Sequence, residues 1–267
     1  MEFLKNTFFI NLEEREDRKE HVEKELEKLN IVGERFNAIK PQSGAVGCSL
    51  SHIKCLELAK ERNYDYVFIC EDDITFLNPT LLLENLNKFK EAMEQHKFDS
   101  LLIKTTVNGI VNTANENGWD VIIIGGNNGP PSIKLGDFCR RVYNCQTTTG
   151  YIVKKHYYDV LIKNMKEGVH QLLQNPENVR QYALDIHWKI LQHDDNWFMI
   201  IPATVIQYEN YSNIEKRNTD YKYLMLDMDK EWLYNQGDLN QLKKKKEQPQ
   251  IQNPIFHNMT FYCGNSK

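Results

Sequence analysis

Residues 66–70, Tyr-Val-Phe-Ile-Cys, form an apolar run without alternation that stops at three carboxylates, Glu71, Asp72 and Asp73. A strand with one wet face alternates apolar and polar residues. A run that is apolar throughout predicts a central parallel strand covered by helices on both faces. Three adjacent carboxylates at its end repel one another unless a cation holds them. The run therefore predicts a layered α/β fold and a charged centre at the carboxyl edge of its sheet, where ligands of such sheets sit.

The flanking sequence supplies the alternating elements. Phe8, Phe9, Ile10 and Leu12 read as a first strand, and a charged helix follows over about 16–29 with Val22, Leu26 and Leu29 on one stripe. Residues 34–39 read as a second strand, 40–47 as a loop by their Pro, Ser and Gly, and about 48–62 as a helix with Leu50, Ile53 and Leu56 inward. Asn78 and Pro79 pair an Asn cap with Pro at the first helical position, ahead of Leu82, Leu86, Phe89 and Met93. Residues 100–104, 119–126, 147–153 and 197–201 read as further strands, 125–131 as a loop that is either a flap over a ligand or an ordinary turn, and 183–192 as a short helix. This order predicts an α/β fold with a mixed, mainly parallel sheet flanked by helices, over about residues 1–214. Residues 215–267, with the run Lys243–Lys246, are a more polar extension, open to acceptor recognition, a homodimer contact or a tail.

The 267 residues, 41% hydrophobic and 26% charged, suffice for a large core. A net charge of −4 supplies no basic field for nucleic acid. No stretch approaches the ~18 apolar residues of a membrane span. The start, MEFLKNTFFINL, lacks the features of a signal peptide, so a cytoplasmic protein is expected, with peripheral membrane contact at most. Six scattered cysteines without a CxxC pair read as reduced thiols.

In an extended chain Glu71 and Asp73 share one side, with Asp72 opposite unless the chain turns. Two hard oxygen ligands on one side suit Mg²⁺ or Mn²⁺, with nucleotide phosphates completing the shell. A solvated acidic turn also satisfies the tripeptide taken alone.

Longer segments narrow the choice. FFINLEEREDRKEH, ERFNAIKPQSGAVGCSLSH and YVFICEDDITF resemble, in order and spacing, the pattern of glycosyltransferase family 25. The resemblance continues in WDVIIIGG, TTTGYIV, LDIHW and PATVIQYENYSNI, and covers about residues 7–214. The family includes bacterial lipopolysaccharide galactosyltransferases and collagen hydroxylysine galactosyltransferases. The resemblance implies a GT-A fold and transfer of a hexose, galactose or glucose, from a UDP-sugar with inversion. It implies an acceptor hydroxyl on a lipopolysaccharide sugar or a collagen-like hydroxylysine, and Mn²⁺ or Mg²⁺ bridging the diphosphate.

The same resemblance places the acidic metal motif on Glu71, Asp72 and Asp73. Of these, Glu71 and Asp73 are the expected metal ligands, which leaves Asp72 for a ribose or sugar hydroxyl. Donor contacts fall on Asn11, Leu12, Arg15 and Arg18, and on Gly47, Ser49, Ser51 and His52. Arg15 and Arg18 suit phosphate by fork geometry, and equally suit surface ion pairs among neighbouring acids. Asp185 fits a general base or a helix cap, and His187 an alternative base, a further metal ligand or a packed side chain. His52 fits a phosphate or acceptor contact, or helix packing. Tyr151 fits sugar stacking or the core, and Gln207 matches a family position without a derivable role. A metal-dependent nucleotidyl- or phosphotransferase would use the same carboxylates, although no GxxxxGK[ST] loop is present. A non-catalytic sugar-nucleotide-binding protein is the third reading.

Overall fold

The apolar run becomes β3 (Tyr66–Glu71), and its neighbours explain why both of its faces are dry. In the computed structural model, residues 2–100, 102, 106–107, 110–111, 118–212 and 217–234 are described. The elements in chain order are β1 (Thr7–Asn11), α1 (Glu16–Glu27), β2 (Glu34–Asn37), α2 (Gly44–Glu61), β3, β4 (Ile74–Phe76) and α3 (Pro79–Glu94). A two-stranded piece follows, β5 (Thr106–Val107) with β6 (Ile110–Val111), then β7 (Val121–Asn128), β8 (Ser132–Leu135), β9 (Cys139–Val142) and β10 (Cys145–Lys154). The rest of this unit comprises α4 (Tyr158–Gln174), α5 (Val179–Tyr182), α6 (Leu184–His187), α7 (Lys189–Asp194), β11 (Trp197–Ile200), β12 (Val205–Gln207), β13 (Asn210–Ser212), β14 (Arg217–Thr219) and α8 (Lys222–Leu226). Met1–Asp229 form one compact unit, and Lys230–Lys267 a second, in which Glu231–Tyr234 are helical.

Eight strands make one sheet in the order β2-β1-β3-β10-β7-β11-β9-β8. Its pairings leave six strands pointing one way, with only β10 and β9 reversed, so the sheet is mixed and mainly parallel in direction. Successive β3 side chains feed two cores. Val67 and Ile69 pack with residues of α2 and α4, while Phe68 and Cys70 pack with residues of α1 and α3. All four are fully buried, which is why the strand shows no polar alternation.

Local chemistry sets several boundaries. Asn78 Oδ1 accepts the Leu81 N–H at 3.0 Å, the cap that starts α3 at Pro79. The helix expected from Cys48 instead begins at Gly44, and the loop before it is correspondingly shorter. Gly47 permits this, because a Cβ there would lie 2.4 Å from the Ile39 carbonyl oxygen. The loop expected over 125–131 is corrected as well. β7 runs on to Asn128 with every residue buried against β10, so Gly125–Asn128 form no flap. The helix expected over 183–192 is broken at Trp188 into α6 and α7. The strand expected over 100–104 falls largely outside the described residues, as do the lysine run and Cys263. The five cysteines among the described residues form no disulfide. No helix among the described residues is long and apolar enough to cross a membrane.

Candidate active site

The chain turns immediately after β3, and the turn separates the three carboxylates. Asp72 and Asp73 face one set of partners and Glu71 another, in place of the simple alternation of an extended chain.

Asp72 and Asp73 share a guanidinium. Arg18, from the first turn of α1, donates through Nη1 to Asp72 Oδ1 at 2.8 Å and to Asp73 Oδ2 at 3.2 Å. Its Nη2 reaches the Tyr211 carbonyl at 3.1 Å. Asn11, at the end of β1, donates to Asp72 Oδ2 at 2.8 Å and accepts from Arg35 Nε at 2.9 Å. Gln207, brought alongside by the β4–β12 pairing with Ile74, donates to Asp73 Oδ2 at 2.7 Å. Asp73 Oδ1 is buried without a hydrogen-bond partner. Burial pushes the Asp73 carboxyl up to about 7, reinforced by the negative charge of Glu71 and opposed by Arg18. Burial likewise raises Asp72, against Arg18 and Asn11.

Glu71 lies on the other side of the turn with 21% of its side chain exposed, so it still meets solvent. Its Oε1 accepts Thr148 Oγ1 at 2.6 Å and is 3.4 Å from His52 Nε2 and 3.7 Å from Cys48 Sγ. Burial opposes its ionisation, but His52 and Thr148 outweigh that and hold its pKa below the usual value. Thr148 reaches Glu71 because β10 is irregular between Gln146 and Gly150, where Thr147 sits at φ 78. A β-branched residue in that region is strained, on the order of 1–3 kcal/mol, and such strain clusters at functional sites. The same kink aims the Thr147 N–H at Asp185 Oδ2, at 3.0 Å.

Asp185 is therefore not the cap of α6, whose N-cap position is Ala183. Burial raises its pKa, Lys189 opposes this, and the charge of Glu71 adds to it. Lys189 is itself lowered by burial, with Asp185 opposing, and donates to Gln146 Oε1 at 2.6 Å.

Other expected site residues stand elsewhere. His187 packs against Tyr182 and Gly168, and no cluster of three metal-ligating side chains among the described residues includes it. Tyr151 is fully buried and cannot stack on a sugar; its hydroxyl meets His52 Nδ1 at 2.8 Å. Ser49 and Ser51 donate to the Ala45 and Gly47 carbonyls inside α2, at 2.9 and 2.8 Å. Gly47 packs against Ile39 and Pro41. The Leu12 carbonyl accepts the Arg15 N–H at 2.9 Å. The Arg15 side chain forms a two-pronged pair with Asp17, at 2.8 and 2.7 Å. Cys48, Thr148 and Lys189 carried no signal in sequence, because their neighbours here are 23, 77 and 43 positions away.

Comparison with known proteins supplies the family. The profile of glycosyltransferase family 25, described as an LPS biosynthesis protein, matches residues 4–45 and 42–172, more than half of the chain. The chain belongs to glycosyltransferase family 25. A Haemophilus influenzae protein bearing the provisional name of glycosyltransferase is 33% identical over 26% of this chain, and the match spans 32% of that relative's length. A crystal structure of a glycosyltransferase involved in glycosylation of the PBCV-1 major capsid is similar at a TM-score of 0.42 and 10% identity, over 79% of this chain and 95% of that one. A Drosophila galactosyltransferase 7 mutant in complex with manganese, UDP-Gal and xylobiose is similar at a TM-score of 0.37 and 12% identity, over 81% of this chain and 75% of that one.

Proposed function

We propose that this chain transfers a hexose, galactose or glucose, from a UDP-sugar to a hydroxyl of a glycan or collagen-like acceptor, with a divalent metal. The observation that carries this reading is Asp73 Oδ1. A buried carboxylate oxygen without a partner, beside a second carboxylate and at the carboxyl edge of the sheet, fits the role of a cation ligand. Asp73 and Glu71 would hold Mn²⁺ or Mg²⁺, hard ions that favour carboxylate oxygen, Glu71 by leaving its contact with Thr148. Such an ion, when bound, supplies positive charge to the diphosphate as the glycosidic bond breaks.

The remaining groups take roles by position. Arg18 already bonds both Asp72 and Asp73, and its guanidinium would meet the charge that builds on the diphosphate. Asn11 holds Asp72 by one oxygen, and Gln207 holds Asp73 by one oxygen. Asp185 is the base: the acceptor hydroxyl gives it a proton as the oxygen attacks the anomeric carbon from the face opposite UDP. Thr147 N–H fixes its orientation, and burial raises its proton affinity toward the range a base needs.

The test is turnover of a panel of UDP-hexoses by the full chain, read as UDP release with Mn²⁺. Slow hydrolysis without acceptor is expected, abolished by a chelator and by Asp73→Asn. Hydrolysis indifferent to both changes would remove the metal from the reading. No turnover of any UDP-hexose, with or without acceptor glycans, would remove the transferase.

A further inference from the structure

The partners of Glu71 are themselves metal-ligand types, and they differ in kind from those of Asp73. We propose that Cys48, His52 and Glu71 form a site for a zinc-type divalent ion, separate from the hard-ion position at Asp73. Positions 48 and 52 are four apart on α2, so both side chains project from one face. That face abuts the end of β3, which delivers Glu71.

The spacing suits zinc. One ligand atom from each residue falls within 4.8 Å of the others. Tetrahedral zinc, with Zn–S of about 2.3 Å and Zn–N or Zn–O of about 2.0–2.1 Å, sets ligand–ligand edges of roughly 3.3–3.6 Å. The observed His52 Nε2 to Glu71 Oε1 and Cys48 Sγ to Glu71 Oε1 separations are 3.4 and 3.7 Å. Three protein ligands leave a fourth position for an oxygen from solvent or substrate.

The outer partners are also those a metal site needs. Thr148 Oγ1 orients Glu71 at 2.6 Å, and the Tyr151 hydroxyl contacts His52 Nδ1 at 2.8 Å. The tautomer that presents Nε2 as a ligand carries its proton on Nδ1, where the Tyr151 oxygen accepts it. Binding would release the Cys48 thiol proton to solvent. A thiolate, an imidazole and one carboxylate select Zn²⁺ or Co²⁺ over Mn²⁺ or Mg²⁺. On the transferase reading Glu71 is also a ligand of the diphosphate's metal, so the two ions compete for it. The binding itself does not depend on that reading.

The probe is Co²⁺, titrated without nucleotide into the reduced, metal-stripped full chain. The expected result is a near-ultraviolet thiolate-to-cobalt charge-transfer band with tetrahedral visible bands, saturating at equimolar cobalt. Zn²⁺ should erase the band, and equimolar Mn²⁺ should not, because the thiolate and imidazole hold Co²⁺ more tightly than Mn²⁺ can compete for Glu71. Cys48→Ser should lose it while keeping the native circular dichroism, and Cys48→Ala serves if serine is not tolerated. Tyr151→Phe should keep the band with binding weakened about 10–100-fold. A folded wild-type chain without the band, or a band that survives loss of Cys48, overturns the site. Neither outcome bears on turnover of a UDP-hexose, which tests the transferase reading separately.

Discussion

Arg18 Nη1 lies 3.2 Å from Asp73 Oδ2, and so places a cation of the protein's own against the carboxylate pair at the end of β3. The side chains are 13% and 6% exposed, so the pair is poorly screened. Removing one partner leaves a buried charge uncompensated. Arg18→Gln is expected to destabilise the metal-free chain by about 3–5 kcal/mol. Mn²⁺ should recover part of the loss, because it binds only the folded carboxylates. Thermal unfolding with and without the ion checks both, and equal melting of variant and wild type would refute the counter-ion role.

Asp73 also sets a pH dependence. Its carboxyl sits at about 7 in the folded chain against an ordinary value of 3.8, so between those values the folded state keeps a proton that the unfolded state has lost. A raised acid of this kind removes stability as pH rises from about 4 to about 7, by at most about 4 kcal/mol. Asp73→Asn should flatten that decline and raise metal-free stability at pH 8. Denaturant unfolding at several pH values reads the slope. An unchanged slope in the variant would show that another group carries it.

The layered fold was legible because β3 is apolar on both faces, and because Asn78 with Pro79 encodes its own helix start. Such signals are local. The pairings at the candidate site are not: Arg18 meets Asp72 across 54 positions, and Thr148 meets Glu71 across 77. The turn that separates Glu71 from Asp73 was left open by the alternation of an extended chain, and tertiary partners decide it. The kink at Thr147 was hidden for a different reason. A threonine at φ 78 contradicts its local preference, and the bonds that Thr147 and Thr148 make to Asp185 and Glu71 accompany it.

Gly47 tests how tightly the start of α2 packs on the 39–41 segment. Alanine there gains up to about 1 kcal/mol in helix propensity. Its Cβ would nevertheless lie 2.4 Å from the Ile39 oxygen and 2.6 Å from Pro41 Cδ. The first contact is with backbone, which yields poorly, and overpacking of this kind costs about 1–3 kcal/mol. Gly47→Ala should therefore be net destabilising, lowering the melting temperature by about 2–4 °C per kcal/mol. A variant as stable as wild type would mean that the 39–41 segment moves aside freely.

Asp185 separates chemistry from binding most cleanly. Its Oδ2 accepts the Thr147 N–H, a bond that the amide oxygen of an asparagine at this position would keep. Asp185→Asn should therefore preserve the fold and the kink in β10. A neutral amide cannot take the acceptor proton, so transfer should fall by about 10²–10⁴-fold, the usual contribution of a general base. UDP affinity, measured by calorimetry with Mn²⁺, should stay within a few-fold, because Asn11, Arg18 and the carboxylates after β3 are untouched. The rate loss should appear in kcat with little change in the KM for donor. If UDP binding collapses along with transfer, Asp185 supports the architecture of the site through Thr147, and the base must be sought among other groups around it.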